Sequence, residues 1–429
     1  MKVILCPLLA SLLVLAPVAQ AADAVPPLAR LSADRQQCKG VDGYAAAFGG
    51  RRTFFLKPGQ LAAIKAVLKT DPAVKAAYAD LIRRADAALA RLPGSVMDKT
   101  TTPLSGDRHD YLSIAPYWWP DPAKPDGLPY VRRDGEINPQ RDTKSYDRTA
   151  IGRLGEDVTA LSLAYYYSDD PRYATKAAAV IRTWFLDPAT AMNPNARYAQ
   201  AVPGREEGRA EGVLDTSAFQ SVVDAVGLIG PSNALTKDEQ DKLEQWFGRY
   251  VDWMLKSPTG KAENAAKNNH GIWFDSQITQ YALFARRLDV ARAVVTAFPS
   301  KRIAPQFDPS GKLPEELTRT RSLHYSIFAL SPAYDVAEMA GCLGYDLWNY
   351  RGADGRGLRT ATDFLATYRG RIAAWPYKEI RPEPGELDSL LTRADWAWGP
   401  DAYPHDPAGW SMTLQYRAGQ YRAGTGAGQ

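Results

Sequence analysis

Residues that build metal centres are scarce in this chain. Its 429 residues hold four histidines and three cysteines, without a His-Glu-x-x-His pair, a calcium-loop pattern or a Cys/His cluster, so nothing in the sequence assembles a metal site. No phosphate-cradling glycine loop precedes a helix. The expectation is therefore a protein with no cofactor and no metal. Net charge is just as sparse. The 52 Lys and Arg against 48 Asp and Glu leave a formal +4, too weak a balance to argue for nucleic acid as a partner. After the first residues no stretch is continuously apolar over the roughly 20 residues of a membrane span.

The first residues are the exception. Lys2, an apolar run from Val3 to Val18 and Ala19-Gln20-Ala21 form the pattern of a secretory signal peptide over residues 1–21. Its removal implies export, most simply to a periplasm, and no membrane association afterwards. It also removes Cys6. Cys38 and Cys342 remain, and in an oxidising compartment that even pair can form one disulfide.

Apolar residues recur at three- and four-residue spacing over 61–67, 74–92, 151–167, 173–185, 218–229, 243–255, 272–284, 291–298, 323–333 and 358–374. Breakers such as Pro58-Gly59, Asp71-Pro72, Asp170-Pro171, Gly230-Pro231 and Pro258 separate them. Strand-like alternation is scarce, so the class is all-α. Two connections, 101–145 and 192–215, are long, polar and aromatic-rich, as site-lining loops are. Together these features predict an (α/α) toroid or incomplete barrel of helical hairpins over 58–400, preceded by an N-terminal segment at 22–57. Residues 401–429 read as a partly disordered extension. Nothing in the pattern fixes an oligomeric state.

Two segments carry chemistry. Asn268-Asn269-His270-Gly271 opens a helix, where amides, an imidazole and free backbone N–H groups suit an anion. Arg319-Thr320-Arg321-Ser322-Leu323-His324-Tyr325 opens another, and helical spacing puts Arg321 on the face of Tyr325. Combined, they supply what β-elimination from a uronate needs. The carboxylate charge must be quenched before the C5 proton becomes acidic, and a proton handler must stand beside it. Tyr325 fits that role if nearby cations favour its ionised form. In mannuronate and glucuronate the C5 proton and the C4 oxygen share one face of the ring, so one tyrosine serves both; guluronate would need a second catalyst.

With Pro116-Tyr117-Trp118-Trp119-Pro120 and the run from Trp184 to Pro194, these strings resemble the alginate lyase family between about Asp110 and Ala333. The resemblance implies an (α/α) toroid and metal-free cleavage of a β-linked polyuronate such as mannuronan. It implies Asn269 and His270 as carboxylate neutralisers, Tyr325 as base and acid, and an essential arginine. The family pattern favours Arg319 for that arginine, whereas helix spacing favours Arg321. The substrate groove would draw on Asn268, His324, Tyr198, Gln200, Arg209, Trp118 and Trp119, with an acidic polysaccharide as partner. His109 reads as an ordinary loop histidine. Competing readings are a glucuronan lyase, an inverting glycoside hydrolase using carboxylates from Asp215, Asp275, Glu315 and Glu316, and a noncatalytic polymer binder.

Overall fold

The computed structural model describes residues 25–399 together with 402 and 403; the expected signal peptide and nearly all of the expected C-terminal extension lie outside them. Proline starts helices here rather than merely stopping them. It occupies the first turn of α1 (Pro58–Val67), α2 (Pro72–Ala90) and, further on, α4 (Pro171–Phe185), and the Asp71 and Asp170 carboxylates cap the latter two. Between α2 and α4 lies α3 (Arg148–Ser168). Then follow α5 (Phe219–Ile229), α6 (Lys237–Lys256), α7 (Pro258–Ala265), α8 (Asn269–Phe284) and α9 (Leu288–Phe298). Two short turns, α10 (Ala304–Gln306) and α11 (Pro314–Leu317), lead into α12 (Ser322–Cys342), α13 (Leu358–Ala366) and α14 (Pro384–Trp398).

Burial sorts these helices into two layers. α5 is buried at every position but Ser221 and α8 over nearly all of its length, while α3 and α12 bury most of their residues. α2, α4, α6, α9 and α13 bury one stripe each, as helices with a solvated back do. The inner helices pack in the order α3, α5, α8, α12, and α2, α4, α6, α9 and α13 lie outside them. This is a double-walled ring of helical hairpins. One helical stretch, Ala210–Ser232, is apolar and long enough to cross a membrane, and its burial as part of the inner wall accounts for that composition.

The N-terminal segment is stitched to the ring. Asp224 on α5 accepts the backbone N–H groups of Phe54, Phe55 and Leu56 at 2.9, 2.9 and 2.8 Å. Gly227 permits this crossing, because a β-carbon there would lie 1.9 Å from the Arg52 carbonyl oxygen. A disulfide joins Cys38 to Cys342 at the end of α12, and β1 (Ala29–Arg30) pairs with a short strand at Tyr345–Asp346.

The long connections are built rather than irregular. β2 (Leu112–Ile114) runs parallel to a strand at Tyr198–Ala201, and β3 (Trp118–Trp119) forms a hairpin with β4 (Val131–Arg132). Residues 210–218, expected as loop in part, form a 3₁₀ helix leading into α5. The helix expected at 358–374 stops at Ala366; Gly370 takes a left-handed backbone, φ 67°, before a 3₁₀ turn at Ile372–Ala374. Helices α7 and α14 were not expected; α7 has little apolar periodicity, whereas Leu387, Leu390, Leu391 and Ala394 of α14 recur at helical spacing and are buried.

Candidate active site

The inner helices α3, α8 and α12 begin at one end of the ring, and so does the 3₁₀ turn feeding α5. There they surround a cleft of about 1030 Å3, which the β3–β4 hairpin borders. Arg132, Arg141, Arg148, Arg209, Arg319, Arg321 and Arg393 reach it, against the carboxylates of Glu211, Asp215, Glu263 and Asp335. That excess of cations, at the positive ends of inner helices, favours a negatively charged ligand.

One wall comes from the elbow between α7 and α8. Asn268 caps α8, its side-chain oxygen accepting the His270 N–H at 3.2 Å. Arg302 locks the bend by donating to the Ala266 carbonyl at 2.8 Å and to both Asp275 oxygens at 2.8 and 3.0 Å. Only glycine fits at 271, since a β-carbon would stand 2.2 Å from the Ala266 oxygen. The elbow therefore presents His270 to the cleft with Nδ1 held at 2.8 Å by the buried Glu263. Burial opposes a charged imidazole, but Glu263 outweighs it, with Glu211 and Glu316 adding, and His270 is raised above its ordinary 6.5. The preceding residue, Asn269, is fully buried. Its Nδ2 donates to both Glu316 oxygens at 2.9 and 3.1 Å, and its Oδ1 has no partner.

The facing wall is the start of α12. The Arg319 guanidinium carbon lies 3.6 Å from the centre of the Tyr325 ring, and its Nη2 donates to Asp134 of the hairpin at 2.7 Å. The Tyr325 hydroxyl is 2.6 Å from that of Tyr117. The structure thus separates the two candidate arginines. Arg321 reaches the cleft wall, yet its guanidinium turns to Glu383 at 3.0 Å and Glu379 at 3.8 Å. The helix-spacing argument fails because Arg321 precedes the first turn of α12 with φ −120° and ψ 60°, outside helical geometry. Glu379 itself caps the helix, accepting the N–H groups of Leu323 and His324 at 3.0 and 3.2 Å.

Tyr325 also departs from expectation. Burial pushes its phenol well above the usual range; Tyr117 adds to this, and Arg319 only partly offsets it. The resting hydroxyl is protonated, because Arg321 is spent on two glutamates and a single cation faces the ring.

The other expected contacts divide. Trp118 lines the cleft with Arg205 and Arg209 over its ring at 5.4 and 5.8 Å. Gln200 lines it too, in a left-handed backbone (φ 50°), its amide donating to Asp215 at 3.0 Å. His324 is present, paired with Glu386 at 2.7 Å and stacked on Phe328. Tyr198 and Trp119 are corrections. Tyr198 is buried in the strand against β2 and absent from the cleft wall. Trp119 points away from it, donating to the Glu136 carbonyl beneath Arg133. Adjacent residues in a strand face opposite ways, which turns Trp118 in and Trp119 out; Tyr198 and Gln200 lie two apart and part company because the left-handed backbone at Gln200 and a register shift opposite it break the alternation. His109 holds the Ala191 carbonyl, a loop contact. Residues that the sequence reading passed over are Tyr117, visible only as part of an aromatic cluster, Glu263, Arg141, Arg148 and Trp273.

The hydrolase carboxylates are not free. Asp215 accepts from Tyr111, Ser113 and Gln200, Asp275 is clamped by Arg302, Glu316 by Asn269, and Glu315 is exposed outside the cleft wall.

Residues 95–375 match the family model for alginate lyase. The chain belongs to that family. An alginate lyase from Bacteroides ovatus, known from its crystal structure, is 40% identical with a TM-score of 0.81, covering 85% of this chain and 99% of its own. Alginate lyase A1-III from Sphingomonas species A1 is 17% identical, TM-score 0.52, covering 81% and 90% respectively. A variant of A1-III complexed with a tetrasaccharide matches at 17% identity and TM-score 0.53, over 85% and 94%. No curated protein matches. The double-walled ring of this lyase is accordingly the (α/α) toroid of alginate lyases. Family membership makes the chain a polysaccharide lyase.

Proposed function

We propose that this polysaccharide lyase cleaves β-1,4-linked polymannuronate, the mannuronate blocks of alginate, by metal-free syn β-elimination. The observation that carries the reading is the convergence of His270, Asn269 and Arg319 on one cleft with the Tyr325 hydroxyl. Two of these bring positive charge, His270 through its raised basicity and Arg319 by nature. They offset the sugar carboxylate, and a C5 carbanion then forms as an enolate-like species rather than beside a full negative charge. Asn269 joins them by turning its amide so that Nδ2 faces the cleft. Its Oδ1 then meets Glu316, whose carboxyl burial pushes upward, toward the protonated form such an oxygen needs as a donor.

Tyr325 performs both proton steps. Its ionised oxygen takes the C5 proton, the C4–O bond breaks as the C4=C5 double bond forms, and the same hydroxyl returns a proton to the departing oxygen. Mannuronate allows this because both groups lie on one ring face. Since the resting phenol is protonated, turnover draws on its small ionised fraction and rises with pH on the alkaline side. Export through residues 1–21 to the periplasm is part of the same proposal.

Purified protein given polymannuronate in the presence of a chelator is expected to release oligosaccharides that absorb ultraviolet light at the new double bond. Guluronan should react poorly and glucuronan serves as the comparison at C2. Tyr325→Phe should cut turnover by about 10³-fold while the fold persists. Retained turnover in that variant, or activity that returns only on adding calcium, would overturn the mechanism.

A further inference from the structure

Most arginines of the cleft are already paired. Arg132 and Arg319 share Asp134, Arg209 holds Glu211 at 2.7 Å, Arg321 holds Glu383, and Arg393 holds Asp335 at 2.7 Å. Two on the α3 side are different. The side chain of Arg148, in the first turn of α3, makes no hydrogen bond or ion pair among the described residues, and it lines the cleft half-buried with a buried, unpartnered Nε. Arg141 likewise buries an Nε without a hydrogen-bond partner and has only its exposed neighbour Asp142, 3.8 Å away. The acids that act on Arg148 do so through space, Asp215 foremost. Asp215 spends its oxygens on Tyr111, Ser113 and Gln200. Those acids favour the charged guanidinium from a distance, yet none of them takes up its N–H groups, so the donors stay open to an arriving anion.

We propose that Arg148, with Arg141 beside it, forms a second carboxylate subsite, which holds the acid group of a sugar neighbouring the one being cleaved. This deepens the lyase reading and rests on it. A polyuronate carries one carboxylate on every sugar, so a chain anchored at His270 and Arg319 brings further carboxylates along the cleft. The 210–218 turn packs against both α3 and α8, placing the Arg148 wall and the His270 wall on either side of it. The planar fork of a free arginine matches a carboxylate with two parallel hydrogen bonds.

The test uses binding, so that it does not depend on turnover. Titration calorimetry of mannuronate oligomers into the Tyr325→Phe protein is compared with the same protein carrying Arg148→Met. The added substitution should weaken Kd by about tenfold or more, Arg148→Lys should fall between, and Arg141→Met should cost less. A neutral mannan, lacking the acid group, should bind all of them alike. An unchanged Kd in Arg148→Met at an unchanged unfolding midpoint overturns the subsite, as does an equal loss toward neutral mannan. Should Arg148→Met unfold, Arg148→Lys decides: affinity equal to the parent's for short and long oligomers alike overturns the proposal, and a deficit confined to longer oligomers supports it. Failure of the lyase reading shows separately, as wild-type protein that binds these oligomers but yields no unsaturated product.

Discussion

The packed space between the helix layers and the open cleft treat polar groups in opposite ways. Inside the ring, between α4, α5, α6 and α8, Phe185, Phe219, Trp246 and Phe247 pack with centroids 4.8 to 6.3 Å apart. The polar atoms among them are closed off. Thr216 Oγ1 meets the Tyr250 hydroxyl at 2.7 Å and Gln277 at 3.0 Å, and the Tyr281 hydroxyl donates to the Thr216 carbonyl at 2.7 Å. At the cleft, Asn269 Oδ1, Trp273 Nε1 and the Nε atoms of Arg148 and Arg209 are buried without partners. Unpartnered atoms also occur elsewhere, among them those of Gln60, Gln280, Gln306 and Glu338; what separates the cleft is their gathering around one space beside excess positive charge. A dry core that left so many groups open would forfeit roughly 1–3 kcal/mol for each. The open cleft tolerates them because a bound anion completes the set.

The comparison is sharpest in the two arginines that open α12. Arg319→Ala should lower kcat/KM by about 10²- to 10³-fold. It should also move the alkaline limb of the pH profile upward, because the one cation that favours ionised Tyr325 is lost. Arg321→Ala should instead act on stability, by about 1–3 kcal/mol, since it removes the cation beside the Glu379 carboxylate and leaves Glu383 only the exposed Arg381. Kinetics and denaturant unfolding on both variants separate these roles. Equal kinetic losses would erase the distinction.

A core substitution probes the packed side of the comparison. Phe247→Ala should cost about 3–5 kcal/mol of unfolding free energy, read from the denaturant midpoint, while kcat per folded molecule stays near that of the parent. A matching fall in kcat would mean that packing inside the ring sets the cleft geometry directly.

How much of this was legible follows the same division. The helices with apolar stripes could be found from spacing, because burial against one neighbour leaves a period of 3.6. Asn269, His270, Arg319 and Tyr325 stood out because unusual polar groups cluster at two helix starts. Helix α7 could not be seen, since only Gly260 and Glu263 are buried in it and its Pro258 reads equally well as a breaker. Glu263 was hidden with it. Arg321 misled because four-residue spacing was applied across a helix start, where the backbone is not yet helical. Trp119 misled because neighbours in a strand face opposite ways, and Tyr198 because a left-handed backbone at Gln200, which no pattern in the sequence shows, breaks the alternation between them. Arg148 carries no signal in a sequence; what singles it out is the lack of a partner, which exists only in three dimensions.

Glu263 offers the finest cut between packed interior and cleft, because it is a buried carboxylate whose partner faces the cleft. It is 2.8 Å from His270 Nδ1 and raises that imidazole above 6.5. A group raised on folding contributes stability that is fully present below its unfolded value and is lost as pH rises through the folded one. Thermal unfolding of the parent should therefore weaken between pH 6.5 and the raised value, as substrate affinity falls with loss of the imidazolium. In Glu263→Gln the largest raising influence is gone and burial prevails, so the imidazole is neutral earlier. Its KM should begin to climb at lower pH than the parent's, and the stability loss above pH 6.5 should flatten. Glutamine keeps a hydrogen bond to Nδ1, so the change reports charge rather than placement. Identical KM profiles in the two proteins would mean that His270 acts by position alone, and the excess of positive charge in the cleft would then fall to its arginines.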